Sequence, residues 1–177
     1  MLISNSGQLN LRYIFFNVIS ILTGTGYVNA QYDGWGSFPI ILFLGLMFIG
    51  GCAGSTTCGI KIFRIQILWQ VMLQQIQKVI RPHQILKITY SKAIIDDKTT
   101  LSILAIIFLF IISIIIIAGL LYWMGLDLLT AFSAAATSIA VVGPGLSNEI
   151  GPLGNFSNLP NQAKWLLSAA MLSLIHI

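Results

Sequence analysis

Phe15 to Tyr27 reads FFNVISILTGTGY, and Phe132 to Pro144 reads FSAAATSIAVVGP. Laid over one another at an offset of 117 residues, Phe15 meets Phe132, Ser20 meets Thr137 and Gly26 meets Gly143. Each is a short apolar helical pattern that runs into a loop of small residues with a glycine near its end. About a dozen helical residues span roughly 18 Å, well short of a bilayer core of about 30 Å. Such a segment enters a membrane, stops and turns back. Irregular backbone at that depth is tolerated only where protein buries it or it lines a watery cavity. Two copies of the device point to a pore.

Composition agrees with a membrane setting. The chain is 56% hydrophobic and 8% charged, with a mean hydropathy of +0.90, too apolar for an ordinary soluble domain. The longest apolar run, Leu101 to Met124, carries no charge, and its hydroxyls are Ser102, Ser113 and Tyr122. It is long enough to span with some tilt. The opening MLISNSGQLNLR lacks a basic stretch followed by an apolar core and a cleavage site, so no signal peptide is expected and the chain reads as one that begins abruptly, as a fragment would.

Charge placement sets the expected orientation. Of the nine Lys and Arg residues, Lys61, Arg64, Lys78, Arg81, Lys87, Lys92 and Lys98 lie together in one connector. The positive-inside rule puts that connector in the cytoplasm, so both glycine loops open outside. Membrane-length apolar stretches flank it, which argues against nucleic acid as its partner, and the net charge of +4 then reports topology and headgroup contact.

The expected order of elements follows. Residues 11–22 form a short helix capped by Asn10, and 23–37 a loop. A second apolar segment starts at Phe38, with Pro39 acceptable in its first turn. It runs into GGCAGSTTCG, Gly50 to Gly59, ten small residues that break a helix. Residues 60–80 read as an amphipathic helix ended by Arg81-Pro82. Residues 83–98 are a short connector whose alternation in ILKITYSKAII allows a hairpin. A long helix 101–124, a short helix 127–138, a loop 139–161 and an apolar stretch 162–177 complete the chain. The fold class is therefore an all-α integral membrane protein built from a repeated unit of outer helix, pore helix, filter loop and inner helix. About one and a half such units are present. Residues 1–80 hold a pore helix, filter loop and broken inner helix, 81–98 the cytoplasmic connector, and 99–177 a second unit whose inner helix is truncated.

A dehydrated cation needs oxygen ligands in place of its water shell, and rings of backbone carbonyls supply them. Aiming successive carbonyls inward calls for conformations that glycine adopts cheaply. Gly24, Gly26, Gly143 and Gly145 suit that need, and the hydroxyls of Thr23 and Thr25 add possible ligands. The negative end of each short helix should face the cation. Asp127 reads as the cap of the second short helix in preference to an ion ligand. The Gly50–Gly59 segment has two readings, a packing kink between close helices or a loop that occludes the pore. Cys52 and Cys58 match no zinc or redox spacing, and neither His83 nor His176 sits in a ligand cluster. The acids Asp33, Asp96, Asp97, Asp127 and Glu149 form no pair within a membrane segment, against a proton-relay pump or an intramembrane hydrolase. Trp35, Trp123 and Trp165 suit an interfacial belt.

These residues carry a family resemblance. GGCAGSTTCGIKIFR, Gly50 to Arg64, resembles the third-repeat inner helix of the TrkH subfamily of Trk-type potassium uptake proteins, in the Trk/Ktr/HKT superfamily. SILTGTGY, Ser20 to Tyr27, resembles that family's third filter loop, and TAFSAAATSIAVVGPGL, Thr130 to Leu146, its fourth. The likeness is collinear over nearly the whole chain, which would be roughly the C-terminal third of a family member with four repeats. The family often has further glycines at Thr57 and Cys58 and an asparagine at Val141. Its last inner helix also continues in a way that the ending SLIHI does not resemble.

The resemblance implies potassium uptake across the inner membrane of a bacterial cell by a multi-pass protein. Thr23, Gly24, Thr25, Gly26 and Tyr27 would form one filter strand, and Ala140, Val141, Val142, Gly143 and Pro144 another. Gly50, Gly51, Cys52, Ala53, Gly54, Ser55, Thr56, Thr57, Cys58 and Gly59 would form an intramembrane gate. Potassium at the filter would be the metal, with no catalytic residue and no cofactor. Partners would be the bilayer, the remaining repeats, a second copy in a homodimer and a cytosolic nucleotide-binding regulatory subunit similar to TrkA, with no nucleic acid. The alternatives are a secondary transporter that uses broken helices for another solute, a membrane enzyme, and a fragment inactive on its own. Filter-like loops on one side of the membrane argue against inverted repeats, and no nucleophile with a base argues for an enzyme.

Overall fold

The computed structural model describes residues 11–32, 35–52, 54–55, 59–81, 89–90, 93–147, 149–152 and 154–175. Among the described residues six helices carry the fold: α1 Leu11–Leu22, α2 Ser37–Phe48, α3 Ile62–Ile80, α4 Asp97–Trp123, α5 Leu128–Ala140 and α6 Asn161–Ile175. Between α3 and α4 the expected hairpin forms, as β1 Thr89–Tyr90 antiparallel to β2 Ala93–Ile94. A 3-10 turn at Phe156–Asn158 leads into α6. The cap expected at Asn10 lies outside the described residues.

The helix α4 is the longest, and its stretch Lys98–Trp123 is long and apolar enough to cross a membrane by length and composition. It starts four residues before the uninterrupted apolar run because Asp97, Lys98, Thr99 and Thr100 join the first turn. Thr100 Oγ1 and Ser102 Oγ donate to the carbonyls of Asp96 and Lys98 at 3.3 and 2.9 Å. The helix ends at Gly125, whose φ of +93° lets the amides of Gly125 and Leu126 fold back onto the Tyr122 and Leu121 carbonyls. Ile103, Ile107, Phe110, Ile114, Ala118 and Leu121 form its buried stripe, at the spacing of one helical face. Leu101, Phe108, Leu109, Ile115, Ile116 and Trp123 stand exposed on the others. A helix apolar all round suits a hydrocarbon surround.

Among the described residues three apolar clusters organise the fold. The largest joins α4, α5 and α6 through Phe110, Ile114, Leu121, Ala131, Ala135, Ile139, Ala163 and Leu167. A second joins α1, α2 and the loops that follow α1 and α5, through Ile21, Tyr32, Phe43, Met47, Ala140, Val142 and Leu146. A third packs Ile67 of α3 on Ile103 and Ile107 of α4. The two short helices differ in how they are enclosed. Ten residues of α5, from Thr130 and Ala131 through Ser133–Ala140, are buried, against Asn17, Ser20 and Ile21 in α1. Small side chains in α5 let its neighbours approach closely, while Leu11, Phe15, Phe16 and Ile19 leave one face of α1 bare.

Helix breaks between α2 and α3, as the run of small residues implies. The ends of the break are tied rather than loose. Ile49 and Ile60 form a parallel bridge, with Gly50 N donating to Ile60 O at 2.8 Å and Ile60 N to Phe48 O at 3.0 Å. Gly59 turns with φ +94°, and a side chain there would press on Gly50 N and Phe48 O at 3.3 Å. A Cβ there would be both tightly placed and strained by the left-handed turn, so glycine suits the position. Within the excursion, the Ser55 amide and hydroxyl both donate to Cys52 O, at 3.0 and 2.9 Å, and Lys61 Nζ donates to Ser55 O at 3.3 Å.

Candidate functional site

The site is built from the C-terminal ends of α1 and α5 and the loops that leave them. At the end of α1 the Thr23 amide bonds to Ile19 O at 2.9 Å and the Gly24 amide to Ile21 O at 3.1 Å. The amides of Thr25 and Gly26 then both reach back to Ser20 O, at 3.0 and 3.3 Å. At the end of α5 the Val141 amide bonds to Thr137 O, and the Val142 amide reaches the same carbonyl at 3.1 Å. The Gly143 amide is held by Thr137 Oγ1 at 2.9 Å. Ser20 and Thr137, paired by the 117-residue offset, thus anchor the same positions of their two loops.

The backbone handedness matches too. Gly24 and Gly26 have φ of +67° and +74°, and Val141 and Gly143 have φ of +52° and +109°. The residues between, Thr25 and Val142, are not left-handed. Alternating hand turns over every second peptide, so successive carbonyls that would point to opposite sides of an extended strand come to one side. Among the described residues Val141 is the one non-glycine with positive φ, a conformation that costs an L-residue about 1–2 kcal/mol.

The two loops lie against each other. A side chain on Gly26 would meet the Val142 carbonyl oxygen at 2.2 Å and the Pro144 ring at 3.3 Å, so one strand rests on the other at Gly26. At Gly143 nothing lies within 4 Å of such a side chain. Behind this contact, Ile21, Val142, Leu146 and Met47 belong to one buried cluster, so the foot of α2 backs both loops just before the helix breaks.

The predicted site residues divide as follows. Thr23–Tyr27 and Val141–Pro144 lie in the two loops, but Ala140 is the last residue of α5 and is buried. The small side chains of this stretch extend the helix two residues beyond the expected end. The Thr23 hydroxyl donates to Ile19 O at 2.7 Å and meets Thr25 Oγ1 at 2.7 Å. Its proton being spent, the Thr25 hydroxyl is the donor in that pair and keeps both of its own lone pairs for another ligand. Tyr27 is exposed. Asp127 stands at the N-cap of α5, yet its carboxylate makes no capping bond; it can act there only through the helix dipole. Of the glycine-rich segment, Gly50, Gly51, Cys52, Gly54, Ser55 and Gly59 are described, while Ala53, Thr56, Thr57 and Cys58 lie outside the described residues.

Two features escape sequence reading. The left-handed turn at Val141 has no local signal, because a β-branched residue disfavours it. The other is Asn17, fully buried in α1 and bonded to Asn29 across the first loop at 3.0 Å. A lone amide in an apolar helix was its visible trace.

A family model for TrkH, described as a cation transport protein, matches residues 8–173. The chain is 41% identical over 163 residues to the Trk system potassium uptake protein TrkI of Halomonas elongata, which covers 92% of this chain and 33% of that protein. It is 28% identical over 172 residues to the Trk system potassium uptake protein TrkH of Escherichia coli K12, covering 95% of this chain and 34% of that protein. The crystal structure of the potassium transporter TrkH from Vibrio parahaemolyticus aligns with a TM-score of 0.81 at 29% identity, over 90% of this chain and 34% of that one. The chain spans about a third of the length of the curated relatives it matches.

Proposed function

The chain belongs to the TrkH family of cation transport proteins, and on that footing we propose that it contributes two filter strands and one gate to a potassium uptake pathway. The observation that carries the proposal is the matched backbone of the two abutting loops. Positive φ recurs at Gly24 and Gly26 and, 117 residues on, at Val141 and Gly143. Alternation of this kind lines carbonyl oxygens along one side of a strand, the chemistry that replaces a potassium ion's hydration shell. The C-terminal ends of α1 and α5 lead into these loops, and their partial negative charge favours a cation beside them.

In this reading Thr23–Tyr27 and Val141–Pro144 are the filter strands, with Ala140 contributing from the end of its helix. Residues 1–80 and 99–177 belong to two successive repeats, and 81–98 form a cytoplasmic connector in a bacterial inner-membrane protein. The remaining repeats of a longer protein complete the ring, a second copy completes a homodimer, and a cytosolic nucleotide-binding subunit regulates it. The excursion from Gly50 to Gly59 acts as the gate. Its paired ends at Ile49 and Ile60 support that role, because they hold the base, and a run of small side chains has little apolar area to bury.

The test is uptake by the complete protein in a strain that lacks its own potassium uptake. The protein should restore growth at low potassium and accumulate rubidium in preference to sodium. Deleting residues 53–57 should raise rubidium flux at equal protein in the membrane. An absence of rubidium uptake, with the protein present in the membrane, would overturn the transport reading. A deletion variant that keeps its selectivity with flux at or below wild type would reduce the segment to a packing kink.

A further inference from the structure

Asn17 is fully buried in a helix that is otherwise apolar over its length apart from Arg12, Tyr13 and Ser20. Burying an amide is costly unless its hydrogen bonds are made, and here they are. One Nδ2 proton goes to Tyr13 O at 2.9 Å and the other to Asn29 Oδ1 at 3.0 Å. The Oδ1 atom accepts the Asn29 backbone amide at 3.4 Å. Asn29 lies two residues beyond Tyr27, on the exit side of the first loop. The bonds therefore close a ring of chain that contains the whole of Thr23–Tyr27.

The equivalent positions in the other loop are Ala134 and Leu146, both buried and neither able to form such bonds. The architecture accordingly does not require amides there. What differs locally is the anchoring. In the second loop the Thr137 hydroxyl holds the Gly143 amide, and the Gly145 amide is tied to Ile150 O at 2.7 Å. In the first loop the corresponding hydroxyl, Ser20 Oγ, is buried without a partner. The Gly26 amide has only the longer bond to Ser20 O, at 3.3 Å.

We propose that Asn17 and Asn29 form a polar clamp that positions the first filter strand and thereby sets ion discrimination, without touching the ion. This rests on the filter reading above. The clamp compensates for the missing hydroxyl anchor by fixing the loop from its far end. Its loss would let Thr25 and Gly26 shift against Val142, where the two strands are in close contact. The pair is a positioning pair, so the ratio of ions carried should move more than the amount of folded protein.

The experiment uses the complete protein in the potassium-uptake-deficient strain, with rubidium and sodium uptake measured at matched protein in the membrane. Asn17→Leu, close in volume, and Asn29→Ala should each lower the rubidium-to-sodium ratio about tenfold, the equivalent of about 1.4 kcal/mol. Asn29→Asp keeps the Oδ1 acceptor and the backbone amide, and should stay within about twofold of wild type, as expected when the hydrogen bond that matters is retained. A wild-type ratio in both Asn17→Leu and Asn29→Ala would overturn the clamp. So would a fall in rubidium and sodium uptake by the same factor, which would mark a structural role alone. If the wild-type protein itself carries rubidium and sodium equally, the filter reading fails and the clamp with it. That result is separable because it appears before any variant is made.

Discussion

The loop after α1 turns left-handed at Gly24 and Gly26, and the loop after α5 does so at Val141 and Gly143. The first is held by Ser20 O at its start and by the buried Asn17 amide at its exit. The second is held by both the carbonyl and the hydroxyl of Thr137. Its helix is buried over most of its length because its own small side chains let neighbours close in, whereas one face of α1 stands bare. Matching backbone conformations have thus been reached with different anchors. What the two loops share is the alternation of left-handed backbone positions. The side chains that anchor it differ, and so does its cost: the left-handed residues of the first loop are glycines, whereas those of the second include Val141.

The contact at Gly26 offers the strongest way to break the equivalence. Replacing Gly26 with Ala places a methyl group on the Val142 carbonyl, at 2.2 Å, and on the Pro144 ring. Both obstacles are backbone or ring and cannot swing aside. Adding overpacking to the left-handed penalty gives a loss of about 2–5 kcal/mol, enough to abolish discrimination between rubidium and sodium. Gly143→Ala meets no atom within 4 Å and suffers only the strain of its φ of +109°, about 1–2 kcal/mol. Uptake of both cations by the two variants measures the difference. Equal damage at the two positions would mean that the strands do not rest on one another at Gly26.

The anchors offer a smaller and more selective test. Thr137→Val keeps the shape of the side chain but removes the acceptor for the Gly143 amide, at an expected cost of about 1–3 kcal/mol. The thermal midpoint of the purified complete protein should fall, and its potassium selectivity should weaken. Ser20→Ala at the matching place removes a buried hydroxyl that bonds to nothing, so stability should hold within about 0.5 kcal/mol or rise slightly. A large loss from Ser20→Ala would show that this hydroxyl reaches the Gly26 amide, making the two loops more alike than their hydrogen bonds indicate.

Much of the architecture was readable from the sequence because glycine and charge punctuate it. The bounds of α1 follow from where the apolar pattern meets Thr23 and Gly24, and the break after α2 from the run of small residues. The alternation around Tyr90 gave the hairpin. Less was readable where long-range contacts decide. The start of α4 extends into a polar turn whose Thr and Ser hydroxyls bond back onto the helix. Ala140 belongs to α5 because small residues there support helix as readily as loop. The tie between Ile49 and Ile60 depends on two backbones meeting, which no local pattern records. Asn17 could be noticed, but its partner twelve residues away could not be named. Val141 is the clearest case, since its own preferences oppose the conformation its surroundings impose.

That opposition gives the smallest and most diagnostic prediction. Val141 holds φ +52° and ψ +46°, where Cβ crowds the following carbonyl and costs about 1–2 kcal/mol. Val141→Gly removes that strain and leaves the second loop resembling the first at Gly24. The added freedom of glycine in the unfolded chain costs about 0.5–1 kcal/mol in return. The valine side chain is 39% exposed, so little packing is lost. The net result should be a gain of about 0.5–1 kcal/mol, from the balance of these two terms, with ion selectivity preserved. The reverse exchange, Gly24→Val, imposes the same strain on the loop that now lacks it and removes glycine's freedom from the unfolded chain, so it should cost about 0.5–1 kcal/mol net. Thermal midpoints of both variants in potassium, compared with the wild-type protein, decide the matter. Destabilisation by Val141→Gly would mean that the valine side chain contributes more through contact than its backbone loses through strain. The two loops would then differ in what supports their left-handed turns, not only in how they are anchored.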